Sequence, residues 1–97
     1  MSEICVVAHM RARKDTQEKM LAVLSGFVKP TRQEPGCIRY QLYRNGSDPQ
    51  DFTFIEEWES EDVLEKHLQM PYLRSGLSAL EDLVESAPVI LRYRLVL

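Results

Sequence analysis

The order of strand-like and helix-like segments is the feature that most restricts the fold of this chain. Four short segments are rich in β-branched and aromatic residues, as strands are, and two longer regions carry apolar residues at helical spacing. The strands are predicted at residues 4–13, 37–44, 52–59 and 89–97, and the helical regions at 15–34 and 61–85. This β-α-β-β-α-β order indicates an α+β, ferredoxin-like fold, in which an antiparallel sheet carries the helices on one face. The right-handed crossover rule then predicts the strand order 4-1-3-2.

Prolines and an N-cap divide the two helical regions. The apolar stripe of the first region consists of Met20, Leu21, Leu24, Phe27 and Val28. Pro30 is expected to kink or locally break that helix, because it lacks a backbone N–H. In the second region, Ser60 is a good N-cap for a helix over residues 61–69. Pro71 suits the first turn of a further helix that reaches about residue 85.

The first and last predicted strands are apolar on both faces. In the first strand, Val6 and Ala8 alternate with Cys5 and Val7. In the last strand, one side consists of Val89, Leu91, Tyr93, Leu95 and Leu97. Helices cover one face of such a sheet, so the other face would expose a broad apolar patch. We therefore expect a homodimer in which two sheets pack face to face; scattered exposed apolar residues are the alternative.

Length and charge exclude several classes of protein. The 97 residues fit one domain over 1–97. A net charge of −3, from 12 basic and 15 acidic residues, argues against nucleic-acid and anionic-membrane partners. The longest unbroken apolar runs, such as residues 4–8, are far below the roughly 20 residues of a membrane helix. The N-terminal segment MSEICVV lacks a basic region and a long apolar stretch, so we expect no secretory signal and a cytoplasmic location.

The cysteines and histidines predict neither a disulfide nor a metal site. In the strand order above, Cys5 and Cys37 lie two strands apart, roughly 10 Å at best, which is too far for a disulfide. Without a signal peptide, two free thiols in a reducing compartment are the default. His9 and His67 are not spaced as zinc ligands. No metal site is therefore expected.

Two short motifs resemble the antibiotic biosynthesis monooxygenase (ABM) family. The first is Glu34-Pro-Gly-Cys37 with Tyr40 nearby. The second is Ile55-Glu-Glu-Trp-Glu-Ser60, followed by Leu64, Glu65, His67, Leu68, Gln69 and Pro71. The second motif is most similar to the quinol monooxygenase branch. The resemblance implies a dimeric α+β barrel with one cavity per protomer between sheet and helices. It also implies oxidation of a small aromatic hydroquinone or phenol by dioxygen, with neither flavin nor metal.

His67 is the strongest candidate for a catalytic residue. Removing a proton from a hydroquinone leaves an electron-rich anion that can pass an electron to dioxygen, so the protein must supply a base and a dry pocket. An imidazole titrates near pH 6.5, which suits a base at neutral pH. The structural alternative is a half-buried histidine that donates to a backbone carbonyl. His9, on the opposite face of its strand from Met10, is expected to face the second sheet or solvent.

Three aromatic residues are candidates for substrate binding. Trp58 could stack on an aromatic substrate, but packing against the helices in the core is the favoured role. Tyr40 and Tyr72 could donate to a substrate oxygen or could simply fill the core. Glu56 and Glu57 lie on opposite faces of their strand, and whichever points inward needs a partner. Arg39, Arg92 and Arg94 are the basic residues that could pair with it.

Other branches of the family provide the alternative functions. Haem-degrading relatives carry an axial histidine where this chain has Leu77, and an asparagine where it has Ala8, so both positions argue against haem. An isomerase of a small carbonyl metabolite remains open, because Arg74, Arg92 or Arg94 could anchor a phosphate. A non-catalytic binding module remains open too. If the protein is an enzyme, we expect His67 in the cavity beside a polar neighbour. If it is a binding module, we expect an apolar cavity with His67 turned outward.

Overall fold

A computed structural model describes residues 3–97. Met1 and Ser2, which begin the segment considered above for a secretory signal, lie outside that range. The elements are β1 (Ile4–Arg11), α1 (Gln17–Gly26), α2 (Val28–Arg32), β2 (Cys37–Arg44), β3 (Asp51–Trp58), α3 (Glu61–Leu68), α4 (Pro71–Leu80) and β4 (Val89–Tyr93). The order of strands and helical regions therefore agrees with the pattern predicted from the sequence. None of the helices in residues 3–97 has the length and apolar character needed to cross a bilayer.

The four strands form one antiparallel sheet in the order β2-β3-β1-β4, which confirms the predicted topology. The central strand β1 places Ala8 opposite Phe54 of β3 on one side and opposite Ile90 of β4 on the other. β2 and β4 are the edge strands. Cys5 and Cys37 are both free thiols, as expected from their separation by β3.

Alternation along β1 and β3 builds the core. Ile4, Val6, Ala8 and Met10 of β1 are buried, while the residues between them are half-buried or exposed. Because successive side chains of a strand point to opposite faces, one face of the sheet is apolar and lies against the helices. The helical side chains that complete this core are Met20, Leu24, Phe27, Leu64, Leu73 and Leu80.

The first helical region breaks before its proline. The predicted local break occurs, but it lies three residues before Pro30: α1 ends at Gly26, and α2 begins at Val28. Proline cannot donate to the carbonyl four residues earlier, and its ring collides with that carbonyl. Four residues before Pro30 is Gly26. The interruption therefore follows directly after that residue, at Phe27, whose N–H donates to Leu24, three residues back, at 3.1 Å.

The second helical region is shorter at its end than predicted. The Ser60 side chain caps α3 by accepting from the N–H of Val63, as expected. However, α4 ends at Leu80 instead of near residue 85. Val84 forms a β-bridge with Ala12 just beyond β1, so pairing with the sheet draws this segment away from helical geometry.

β4 is also shorter than predicted. It ends at Tyr93, opposite Cys5, although its apolar pattern continues to the C-terminal end. Because β1 begins at Ile4, it offers almost no further backbone for the ladder to continue. Leu95, Val96 and Leu97 are consequently 88%, 88% and 106% exposed.

The sheet surface opposite the helices carries a group of apolar side chains, which we call the open sheet face. It consists of Cys5, Val7, Ile55, Val89, Leu91 and Tyr93. The three β4 residues of this set are 52%, 41% and 50% exposed, respectively. Ile38, which strict alternation along β2 would place on the same face as Tyr40, lies at an irregularity in the β2–β3 register and is 46% exposed.

Gly36, in the loop before β2, lies where a side chain would not fit. Its φ is +88°, and a Cβ built on it would lie 2.5 Å from Cγ1 of Val63. We expect Gly36→Ala to lower the free energy of unfolding by about 2 kcal/mol in chemical denaturation, from backbone strain and this overlap together. Gly46→Ala is the matched control, because a Cβ added at that glycine would have no neighbouring atom within 4 Å. Equal stability of the two variants would contradict the expectation.

Candidate functional site

A cavity of about 50 Å³ lies between the sheet and the helices α3 and α4. Val6, Ala8 and Phe54 contribute to its sheet side, and Leu64 and Leu73 contribute to its helical side. The polar side chains on the wall are those of Tyr40, Glu56, His67 and Arg92. The cavity thus combines a mostly apolar lining with a few groups that can exchange protons or donate hydrogen bonds, as small-molecule sites commonly do.

The cavity reaches the surface beside β4. Ile90 on its rim is 52% exposed. Arg92, the other rim residue of β4, forms ion pairs with Glu61 at 3.2 Å and with Glu65 at 2.9 Å on α3. Two carboxylates therefore already neutralise this guanidinium. An anionic ligand would have to displace them before it could bind Arg92.

His67 lies on α3 with its imidazole on the cavity wall and is 2% exposed. Its Nδ1 lies 3.0 Å from Oε2 and 3.2 Å from Oε1 of Glu34. Because an ionised carboxylate can only accept, this contact places a hydrogen on Nδ1 and leaves Nε2 as the basic nitrogen. No hydrogen bond joins Nε2 to any of residues 3–97, and each fully buried polar side-chain atom in that range has a partner, so Nε2 faces the cavity.

Glu34 is itself held by a chain of hydroxyls. The Tyr72 hydroxyl donates a short hydrogen bond to Oε2 of Glu34. Since that hydroxyl has one hydrogen, the 2.8 Å contact between Tyr72 and Thr31 is donated by Thr31. Burial, followed by the bond to Glu34, raises the pKa of Tyr72 and keeps it a neutral donor. The carboxylate that orients His67 is thus fixed by the Tyr72 hydroxyl, which Thr31 in turn holds in place.

Glu56 is the second ionisable group on the wall, and it is 6% exposed. Its Oε1 accepts from the indole N–H of Trp58 at 2.9 Å. Burial raises the pKa of this carboxyl to about 7, while the bond from Trp58 lowers it. The sequence left open which glutamate points inward. Glu57 is on the open sheet face and pairs with Arg39 at 3.2 Å.

None of the three expected arginines pairs with Glu56 in the monomer. Arg39 binds Glu57, whereas Arg92 and Arg94 bind carboxylates of α3. Within residues 3–97, no lysine or arginine lies within ion-pair distance of Glu56. Its buried carboxyl is therefore stabilised by an indole donor instead of a cation.

Of the three aromatic candidates, one lines the cavity and two lie behind its wall and hold other side chains in place. Tyr40 lines the cavity, 3% exposed, and its ring centroid is 5.7 Å from that of His67. Burial, followed by the charge of Glu56, raises the pKa of Tyr40. Trp58 lies behind the wall, fully buried, with its ring 4.5 Å from the His67 ring and its N–H on Glu56. Tyr72 also lies behind the wall, where it contacts Glu34.

Other expectations can be placed on the structure. His9 is exposed on the sheet face away from the helices, where Nδ1 lies 2.9 Å from the Thr53 hydroxyl. Burial raises the pKa of Cys37 to about 11, which keeps its thiol protonated and a poor nucleophile at neutral pH. Ala8 and Leu77, which replace the asparagine and axial histidine of haem-degrading relatives, both line the cavity. Residues 3–97 contain no group of three or more His, Cys, Asp or Glu side chains placed to hold a metal ion.

Sequence reasoning missed the orienting carboxylate. Glu34 was noted in the first motif but received no role, because it is 33 residues from His67 in the chain. Thr31 was not noted. The position of Glu56 could have been found, since it alternates with Phe52, Phe54 and Trp58, three large apolar side chains that must point to the core.

Comparisons with known proteins agree with this architecture. The family model for antibiotic biosynthesis monooxygenase matches residues 3–79. The uncharacterised protein sll1783 of Synechocystis sp. is 30% identical over 92 residues, which are 95% of this chain and 63% of that protein's length. This chain thus spans less than two thirds of that relative.

Solved structures show the same fold. PA3566 from Pseudomonas aeruginosa has a TM-score of 0.94 at 24% identity, with 100% of this chain and 97% of that chain covered. A crystal structure of an antibiotic biosynthesis monooxygenase has a TM-score of 0.91 at 25% identity, with 96% and 98% covered. The solved structures agree in fold, and the family match over residues 3–79 shows that the chain belongs to the antibiotic biosynthesis monooxygenase family.

Proposed function

We propose that this protein is a cofactor-independent monooxygenase that oxidises a small hydroquinone or related phenol with dioxygen. One observation carries the proposal: an apolar cavity has a histidine on its wall whose Nδ1 is bound to a buried carboxylate. That arrangement leaves Nε2 of His67 as a base facing the place where a substrate would lie. A binding module would have no need of an oriented base.

His67 begins the proposed reaction by removing a proton from a substrate hydroxyl. The charge that forms on its imidazolium lies against Glu34, which stabilises it. The substrate anion passes one electron to dioxygen, and the resulting superoxide and semiquinone combine at a ring carbon. The imidazolium returns its proton to the peroxide, which leaves a ring hydroperoxide and a neutral His67.

Loss of water completes the proposed reaction. A hydroquinone C₆H₆O₂ and O₂ form the hydroperoxide C₆H₆O₄, which yields the hydroxyquinone C₆H₄O₃ and H₂O. The substrate loses four electrons and dioxygen gains four, so no external reductant is needed. The apolar wall excludes water from the reactive intermediates.

The size of the cavity favours a single-ring substrate. A volume of about 50 Å³ has room for roughly four water molecules, at about 10–15 Å³ each. A ligand that replaces these waters can be no larger than a small molecule with one ring. Tyr40, on the wall, is proposed to contact the substrate. Trp58 and Tyr72, which sequence analysis named as binding residues, are proposed to act through the side chains they hold: Glu56 and His67 for Trp58, and Glu34 for Tyr72.

The open sheet face supports a homodimer as the working form. Its exposed apolar residues would be covered if two sheets packed face to face, which is the dimeric α+β barrel expected from the sequence. Each protomer would then be one domain over residues 1–97 with its own cavity on the helical side. The cavity wall is built from a single chain.

Oxygen uptake by protein treated with a chelator, measured against a panel of single-ring hydroquinones, tests the activity. We expect uptake by the wild type and a loss of about 100-fold in His67→Ala, because a positioned general base contributes roughly that much or more. His9→Ala is the matched control, since that histidine lies on the opposite side of the sheet.

Two outcomes would contradict parts of this proposal. Equal uptake by the wild type and His67→Ala would keep the oxygenase and remove His67 from its chemistry. If no hydroquinone were oxidised above the uncatalysed rate, the monooxygenase would be excluded for these substrates. An isomerase of a small carbonyl metabolite, or a binding module, would then be the better description.

A further inference from the structure

Glu56 is a buried carboxyl for which the base chemistry of His67 has no use. It lies on the cavity wall, 6% exposed, and its one hydrogen-bond donor in residues 3–97 is the indole of Trp58. A buried carboxyl without a cation is costly to keep, so its position in a reaction cavity calls for a role.

The contact with Trp58 favours one oxygen of Glu56 as the site of a proton. An indole N–H can only donate, so Oε1 accepts, and because the carbonyl oxygen of a protonated carboxyl is the stronger acceptor, the proton is favoured on Oε2. No bond joins Oε2 to residues 3–97, and no fully buried polar side-chain atom in that range lacks a partner. The acidic proton therefore faces the cavity. The Trp58 ring also lies against His67, so one residue contacts both the proposed acid, Glu56, and the proposed base, His67.

We propose that Glu56 is a second proton-transfer residue, which protonates the hydroxide that leaves when the O–O bond of the ring hydroperoxide breaks. This inference rests on the proposed monooxygenase function and deepens it. His67 removes the proton from the carbon that bears the hydroperoxide, and that C–H electron pair forms the new carbonyl. The O–O pair departs with the outer oxygen, which takes the proton of Glu56 and leaves as water. The imidazolium then returns a proton to the Glu56 carboxylate, so both residues regain their starting states.

The surroundings of Glu56 favour a protonated form near neutral pH. Its titratable or charged neighbours are His67 of α3, Tyr40 and Cys37 of β2, and Arg92 of β4. α4 and the α1–α2 junction supply apolar side chains to the wall. Arg92 is separated from Glu56 by Val6 in the same row of the sheet and is bound to carboxylates of α3. Burial thus dominates and raises the pKa of Glu56 to about 7.

Glu56→Gln provides the test, because the amide keeps the shape of the protonated acid. Its oxygen can accept from Trp58 and its NH₂ can donate into the cavity, but it cannot transfer a proton. With a hydroquinone that the wild type oxidises, we expect kcat to fall about 100-fold while KM changes less than about threefold. The matched control is Glu59→Gln, the same change at an exposed position just after β3.

Two further readouts separate acid catalysis from a structural role. In the wild type, kcat should fall as pH rises through about 7, because Glu56 loses the proton it must deliver. In Glu56→Gln, this fall in kcat (the alkaline limb of the pH profile) should be absent. When O–O cleavage is slow, the hydroperoxide can instead expel hydrogen peroxide and leave the quinone C₆H₄O₂. We therefore expect the ratio of hydrogen peroxide formed to dioxygen consumed to rise severalfold in Glu56→Gln.

The outcomes distinguish this inference from the function on which it rests. If wild type and Glu56→Gln share the same kcat, pH limb and peroxide ratio while His67→Ala is inactive, the role of Glu56 is wrong and the monooxygenase stands. If the wild type oxidises no hydroquinone, both proposals fail together. A lower kcat, a missing limb and more peroxide in Glu56→Gln alone would establish the acid.

Discussion

Replacing Trp58 by alanine is expected to lower the free energy of unfolding by about 4 kcal/mol, which is a large share of the stability of a small domain. Trp58 is fully buried and packs against His67 and Tyr40, with ring centroids 4.5 Å and 6.4 Å away. Truncation would leave a cavity in the centre of the core and an unpaired carboxyl at Glu56. Chemical denaturation at pH 7 measures the loss.

Trp58→Phe is the control that separates packing from hydrogen bonding. It keeps an aromatic ring but removes the N–H that Glu56 accepts. We expect it to cost clearly less than the alanine variant, about 1–2 kcal/mol. Because the bond from Trp58 lowers the pKa of Glu56, its removal should raise that pKa further. A Trp58→Ala protein as stable as the phenylalanine variant would show that the core closes around the missing ring.

Leu91→Arg is expected to convert the proposed dimer into monomers. Leu91 lies opposite Val7, which lies opposite Ile55, so these residues form the middle row of the open sheet face. A guanidinium there would be buried without a partner when two sheets meet, and the dissociation constant should rise by about 100-fold or more. Leu91 is 41% exposed in the monomer, so the change leaves the core intact.

Sedimentation velocity over a range of protein concentrations measures this shift. Ala22→Arg is the control, because residue 22 is exposed on α1 on the other side of the sheet. We expect that variant to sediment as the wild type does. A wild type that is monomeric at high micromolar concentration would contradict the dimer, and an unchanged Leu91→Arg would place the interface elsewhere.

Local patterns were sufficient to predict most of the fold. The two-residue period of β1 and β3 identified the face that packs on the helices, and the order of the elements determined the strand order through the crossover rule. The ends of the helices and strands were harder to predict from the sequence. α4 stops at Leu80 because Val84 pairs with Ala12, a residue 72 positions away. Such long-range pairing leaves no signal in a local window.

The candidate site also combines features that local sequence determines with features that only packing determines. The sequence by itself determined that His67 and Tyr40 belong to the family motifs and that the face carrying Glu56 is apolar, because residue type and alternation are local properties. Only the tertiary structure decided that Glu34 binds Nδ1 of His67 and that Trp58 supports the cavity from behind. Those contacts depend on how the loop before β2 meets α3, and thus on packing between segments distant in the chain.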